Sequence, residues 1–113
     1  MLFRSTDKYI KENPTVIQAW TDAIYKAQKW TETAKASEIV SALEQFFPGV
    51  NPKALTAAAE RYQKLKIWKN SPVIEPKAID KFQDILVNGN VLEKGKRVKF
   101  QDLIRTEFAS KAK

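Results

Sequence analysis

Proline placement constrains this chain more than any other feature. Proline has no backbone N–H, and its ring clashes with the carbonyl four residues back. It is therefore excluded from a helix interior but accepted at a helix's first position. Three of the five prolines follow a residue suited to the step into a helix, in Asn13-Pro14, Asn51-Pro52 and Glu75-Pro76. The other two, in Pro48-Gly49 and Asn70-Ser71-Pro72, fall where turns are expected. Behind each opening proline, apolar residues recur at three- and four-residue steps, the spacing that lines up one face of a helix. The predicted fold is all-α, about six helices in a single domain over residues 1–113.

The first helix is predicted over Thr6 to Glu12, capped by Ser5 or Thr6 with Asp7 in its first turn. The second runs from Pro14 to Thr33 with Asn13 as its cap. It aligns Val16, Ile17, Trp20, Ala23, Ile24, Ala27 and Trp30, so Trp20 and Trp30 read as core residues, while Asp22 and Lys26 form a weak i,i+4 pair. A third helix covers Ala36 to Phe46 with Ile39, Val40, Leu43 and Phe46 inward, and Phe47 tucks under the Pro48-Gly49 turn. The fourth, Pro52 to Leu65, turns Leu55, Ala58, Ala59, Tyr62 and Leu65 inward, its alanines allowing close helix approach. The fifth opens at Glu75-Pro76 and ends near Asn88, with Ile79, Phe82, Ile85 and Leu86 inward and Gly89 as a left-handed end residue. Residues 90–99 read as a loop or short extended piece, and a sixth helix spans Gln101 to Ser110 with Leu103, Ile104 and Phe108 on one side.

Charge and residue usage narrow the function. Lysine and arginine outnumber the acids 20 to 13, a net charge of +7 that favours anionic partners. The cations are spread out, however, with two clusters at Arg61–Lys69 and Lys94–Lys99 and no run of the kind that marks a binding tail. Cysteine and histidine are both absent, which removes disulfides, thiolate nucleophiles, the usual zinc sites and the commonest acid–base group. Asp80 and Asp84 share a helix face but lack a third oxygen ligand nearby, so they read as solvated. The serine and threonine hydroxyls match capping needs, and no phosphate-binding glycine loop is present. No catalytic residue, metal ligand or cofactor is expected, and the chain is not read as an enzyme. No apolar stretch approaches the length that spans a bilayer, and "MLFRSTDKYIKENP" lacks the pattern of an export signal.

The stretch "ERYQKLKIWKNSPVIEP", Glu60 to Pro76, poses the sharpest question. It places Arg61, Lys64, Lys66 and Lys69 around Tyr62 and Trp68, as a nucleic-acid surface could. Yet a single-strand platform needs several exposed aromatics along one basic groove. An apolar pair just past a helix end, here Ile67-Trp68, folds back on the last turn instead. Trp68 is therefore read as a core anchor whose charged neighbours face water. A stand-alone basic helical module that binds nucleic acid or a partner protein remains the alternative function.

The ordered set of segments resembles a known family. "YIKENPTVIQAWTDAIYKAQKW", Tyr9 to Trp30, followed by Phe47-Pro48, is similar to a helix pair near the C-terminus of the solute-binding proteins of ABC importers. The nitrate/sulfonate/taurine-type group, related to the proteins that bind thiamine-pyrimidine precursors, fits best. Pro52 to Ile74, Phe82 to Leu92 and Val98 to Ala109 continue the likeness in order, so that it covers essentially the whole chain. The resemblance implies a type II periplasmic-binding-protein fold about three times this long, with two α/β lobes closing on a small-molecule solute. These residues would be its C-terminal helical part, packed on the first lobe, and the alternating strand–helix pattern of the lobes is not in them. It also implies a periplasmic or cell-surface location and an ABC permease as partner of the full-length protein. No ligand motif of the family can be carried onto a residue here, so no ligand-binding residue is named and weak ligand binding by the chain alone is expected. Helices shaped to cover a sheet retain apolar faces when isolated, so self-association is expected, and a nucleic-acid partner is not.

Overall fold

The computed structural model describes residues 4–113, and all regular structure among them is helical. The helices are α1 (Asp7–Glu12), α2 (Pro14–Thr33), α3 (Ala36–Leu43), α4 (Pro52–Lys64), α5 (Pro76–Asn88) and α6 (Phe100–Leu103). Short 3₁₀ turns occupy Glu44–Phe46, Lys94–Lys96 and Ala109–Lys111. Pro14, Pro52 and Pro76 each stand at the start of a helix, as their missing N–H requires.

Two caps form as expected. Thr6 Oγ1 accepts from the Tyr9 amide at 3.1 Å, and Asn51 Oδ1 accepts from the Lys53 amide at 2.9 Å. Asn13 does not cap α2. It is the single residue between α1 and α2, and its side chain donates backward to the Tyr9 carbonyl at 3.3 Å, alongside its own amide. One short side chain cannot serve both helix ends, and here it closes the first.

The centre of the molecule is the contact of α3 with α4. Ala36, Val40 and Ala59 form the buried cluster, with Leu55 and Trp68 packed against it, and Ile39 is only 1% exposed. The alanines keep the two helices close, because small side chains lower the ridges that separate helix axes. Gln63 then ties this pair to α2. Its amide nitrogen donates to the Thr31 carbonyl at 2.9 Å and to the Ala34 carbonyl at 2.8 Å. A second glutamine, Gln83, is buried on α5 and holds the segment after it. It accepts from the Val98 amide at 2.8 Å and donates to the Val98 carbonyl at 3.2 Å. Arg97 adds an ion pair to Asp84 and a bond to the Asp80 carbonyl. The tail returns to α2, where Gln18 donates to the Phe108 carbonyl at 3.1 Å, while Arg105 reaches Asp7 at 2.9 Å.

Several expectations are overturned. The helix expected over Gln101 to Ser110 is broken into α6 and the turn at Ala109–Lys111, with Ile104 extended between them. Two β-branched residues, Ile104 and Thr106, weaken helix formation there, and the break lets Arg105 and Phe108 make their distant bonds. Gly89 is not left-handed, at φ −83°; Asn90 takes that role at φ 56°. Asn tolerates the conformation through its short polar side chain. The turn is complete, with Val91 N donating to Leu86 O and Asn90 N to Val87 O. The expected Asp22–Lys26 pair gives way to Asp22 accepting from Gln18 and from the Lys113 amide.

The largest correction concerns what is inside. Ile39, Val40, Ala59 and Ile79 are buried as expected. But Trp20 and Trp30, read as core, are 52% and 43% exposed, and no residue of α2 is fully buried. Leu43, Phe46 and Phe47 at the end of α3 are exposed too, as are Tyr62 and Leu65 on α4, Phe82 and Ile85 on α5, and Leu103. The apolar stripes exist, but they stay exposed among the described residues. The accessible surface is 9236 Å², whereas a folded monomer of 12.9 kDa exposes about 6,300 Å². The radius of gyration of 17.1 Å likewise exceeds the roughly 13 Å of a globular chain of this length.

Replacing Gln63 with leucine would leave the Thr31 and Ala34 carbonyls without their donor. Urea unfolding followed by circular dichroism should show Gln63→Leu less stable by about 1–3 kcal/mol. An unchanged midpoint would mean that water serves both carbonyls equally well.

Candidate functional site

The basic-aromatic stretch is organised by the way α4 ends. Leu65 closes the helix and Lys66 takes a left-handed conformation at φ 51°. Ile67 N then donates to Tyr62 O at 3.1 Å and Lys66 N to Gln63 O at 3.0 Å, the paired bonds of a Schellman end. The turn throws the chain back along α4. Trp68 lands half-buried on Ala36, Val40 and Ala59, with its ring edge-on to Tyr62 at 5.7 Å and 88°. Such a T-shaped pair is worth about 0.5–1.5 kcal/mol beyond its buried area. The fold-back of Ile67-Trp68 is as expected from sequence, although Tyr62 and Ile67 stay exposed, at 42% and 53%.

Between this turn and the C-terminal half of α2 lies a half-open cleft of 310 Å³. Gln28, Thr31 and Glu32 form one wall, and Tyr62, Gln63, Lys66, Trp68, Lys69 and Asn70 the other. The walls are bridged at two points. Gln28 donates to the Ser71 carbonyl at 3.2 Å, and Asn70 donates to the Glu32 carboxylate at 2.9 Å. The Asn70 bond, helped by the nearby charges of Lys29 and Lys66, holds the Glu32 carboxyl below its ordinary value. The single oxygen of the Gln28 amide, Oε1, is buried without a hydrogen-bond partner. The cleft thus presents one carboxylate, two ammonium groups and one indole, a set suited to charge and hydrogen-bond recognition of a small polar molecule. Its volume sits at the low end for ligand pockets.

Arg61, Lys64, Lys66 and Lys69 are all exposed, as expected of solvated neighbours. The two rings among them form an edge-to-face pair rather than a row of open ring faces, which a stacking platform for bases would need. Asp80 and Asp84, read as solvated, are exposed, and Asp84 pairs with Arg97. Among the described residues, no group of acidic, histidine or cysteine side chains is placed to hold a metal ion. No helix among them is long and apolar enough to cross a membrane.

Sequence reasoning missed Gln28, Gln63 and Asn70. For Gln63 a signal existed: it sits four residues after Ala59 on the inward side of α4, and an uncharged polar residue on an apolar stripe usually meets a backbone partner. Gln83, four residues after the buried Ile79, carries the same signal. Asn70 had none, because its partner lies 38 residues away in sequence.

The chain is 29% identical over 109 residues to "Putative binding protein YtlA" of Bacillus subtilis (strain 168), an alignment that takes in 96% of this chain. It covers 32% of the relative, so the chain spans about a third of that protein's length. No family model matches the chain, and no solved structure matches it.

Two outcomes follow from this geometry. Lys66 holds a left-handed conformation that costs a side-chain-bearing residue roughly 1–2 kcal/mol, part of which glycine loses again to its unfolded-state freedom. Lys66→Gly should therefore stabilise the chain by about 0.5–1 kcal/mol in thermal unfolding, whereas Lys66→Val should destabilise it. Asn70→Ala should raise the Glu32 pKa toward the ordinary carboxylate value, measured by carbon-detected NMR titration of the side-chain carboxyl. The sign is fixed by the depressed folded-state value: any stabilisation from ionised Glu32 is present above the unfolded-state pKa and fades as pH falls through the folded one.

Proposed function

We propose that the chain is the C-terminal helical part of the substrate-binding protein of an ABC importer, for a small solute of the nitrate, sulfonate, taurine or pyrimidine-precursor class. The observation that carries this reading is the alignment: nearly all of the chain matches about a third of a protein named for binding. The segment order that resembles the solute-binding family supports it. So does the uncovered apolar surface, which suits a layer laid against a larger body better than a free-standing globule.

In this reading the whole protein sits in the periplasm or at the cell surface, takes its solute between two α/β lobes and hands it to the permease. The 113 residues brace the first lobe rather than enclose the solute. A solute needs burial on most of its surface to bind tightly, and the cleft beside Trp68 is open on one side. Two functions are then divided along one chain: recognition in the lobes, support in the helices.

An antibody raised against the chain tests the proposal in the organism that encodes it. The expected result is a band about three times the 12.9 kDa of this chain, released with the envelope fraction. A 12.9 kDa species confined to the cytosol, with salt-sensitive retardation of labelled DNA or RNA, would overturn it in favour of the basic helical module.

A further inference from the structure

The cleft beside Trp68 is polar in one direction: acceptors stand on the α2 wall, and cationic donors on the wall built by the end of α4. On α2, Gln28 and Glu32 are four residues apart and share a face. The Gln28 nitrogen donates to the Ser71 carbonyl, which fixes the orientation of the amide and leaves Oε1 as an acceptor without a partner. Glu32, its carboxyl held below the ordinary value, is ionised at neutral pH. One of its oxygens accepts from Asn70, and the other lies 3.6 Å from Lys29. Across the cleft stand Lys66 and Lys69, both exposed. Neither makes an ion pair among the described residues.

The amides around the cleft do not serve Oε1. Gln63 spends both hydrogens of its amide on the Thr31 and Ala34 carbonyls, and Asn70 spends one on Glu32. Buried polar atoms in folded chains are nearly always paired, so an unpaired one marks where a donor belongs. Gln28 as a whole is only half-buried, so its side chain can yield to an entering donor.

These observations set the chemistry of the occupant. A donor belongs toward α2, where Oε1 is unpaired and Glu32 brings negative charge. An anionic group belongs opposite, at Lys66 and Lys69. A lone cation would meet two ammonium groups, and a lone anion would leave Oε1 without a donor. A molecule that carries both groups satisfies both walls. It must be small, because 310 Å³ is at the low end for ligand pockets.

We propose that the cleft between α2 and the end of α4 binds a small zwitterion of the amino-acid class, with its ammonium on Gln28 Oε1 beside Glu32 and its carboxylate at Lys66 and Lys69. An apolar side chain on the ligand lies along the Trp68 indole. The cleft is half-open and its lysines are exposed, so affinity is weak, with a Kd on the order of 1 mM. The site rests on the geometry of this cleft and not on the solute-binding reading of the whole protein.

Titration of the purified 113-residue chain with L-valine tests it, followed by proton–nitrogen NMR of the side-chain amides and indoles. The Gln28 amide and Trp68 indole signals should shift together and saturate. Two analogues separate the contacts. Isovalerate lacks the ammonium, and N-trimethyl-L-valine keeps its charge but has no N–H. Each should bind at least about fivefold more weakly than L-valine. Lys69→Ala should weaken L-valine about two- to fivefold with the helical circular dichroism unchanged. Lys66→Gly, expected to stabilise the chain, should weaken it by a similar factor, which separates loss of the ammonium from loss of the fold. No saturable shift by about 50 mM L-valine would overturn the site and leave Oε1 to water. Equal binding of N-trimethyl-L-valine would overturn it too, as would an affinity unchanged in both lysine variants. The size and location of the protein in cells do not depend on these results, so the two proposals fail separately.

Discussion

One side-chain amide holds the arrangement of helices. The last carbonyls of any α-helix lack partners within it, and at the end of α2 the chain turns at once into α3. Thr31 O, in the last turn of α2, and Ala34 O, just past it, lie where α4 passes, and Gln63 donates to both. This fixes the joint between α2 and α3 against α4, and with it the contact of Ala36 and Val40 with Ala59. The turn that follows Gln63 sets Trp68 on the same cluster. The cleft beside Trp68 exists because α2 is held at this distance from the end of α4, with Asn70 and Gln28 as lesser struts.

Around that joint the molecule is thin. Its buried apolar set is small, and the polar bonds between distant segments are carried mostly by glutamine, asparagine and arginine side chains reaching backbone carbonyls or carboxylates. Such bonds specify position well but add only about 1 kcal/mol each. A chain built this way spreads apolar stripes over its outside instead of folding them inward. The proposal for the whole protein answers that fact: a layer needs something to lie against.

The sequence showed where helices begin and end far better than what they bury. Pro14, Pro52 and Pro76 marked three starts correctly, because the chemistry of proline leaves no choice. Thr6 and Asn51 capped as their side chains allow, and the expected limits of α2 were those observed. Helical periodicity was right in locating stripes on α2, α4 and α5. It failed on Trp20, Trp30, Leu65 and Ile85, which are exposed, because periodicity shows that a face is apolar and not how far it is buried. The sixth helix failed for another reason. Its apolar spacing was adequate, but Ile104 is drawn into an extended conformation while Arg105 and Phe108 bond to α1 and α2, and such distant partners leave no local mark. Within the site, the fold-back of Trp68 was legible from the Ile67-Trp68 pair, whereas the polar struts of the cleft were not.

The bond from Arg105 to Asp7 joins residues 98 apart and so closes almost the entire chain into a loop. Closing a loop of that length costs about 4 kcal/mol in chain entropy, while an exposed ion pair returns at most about 1 kcal/mol. The clasp cannot bring the two segments together by itself; it can only fasten them once α2 has already received the tail. Folding must then proceed outward from the α3–α4 pair, whose contacts span short stretches of chain, with the clasp last. The same order run backward gives the native fluctuations: α1 and the tail come loose and reseat many times while the centre stays shut, so amide protons at the two ends exchange with solvent far sooner than those of α3 and α4.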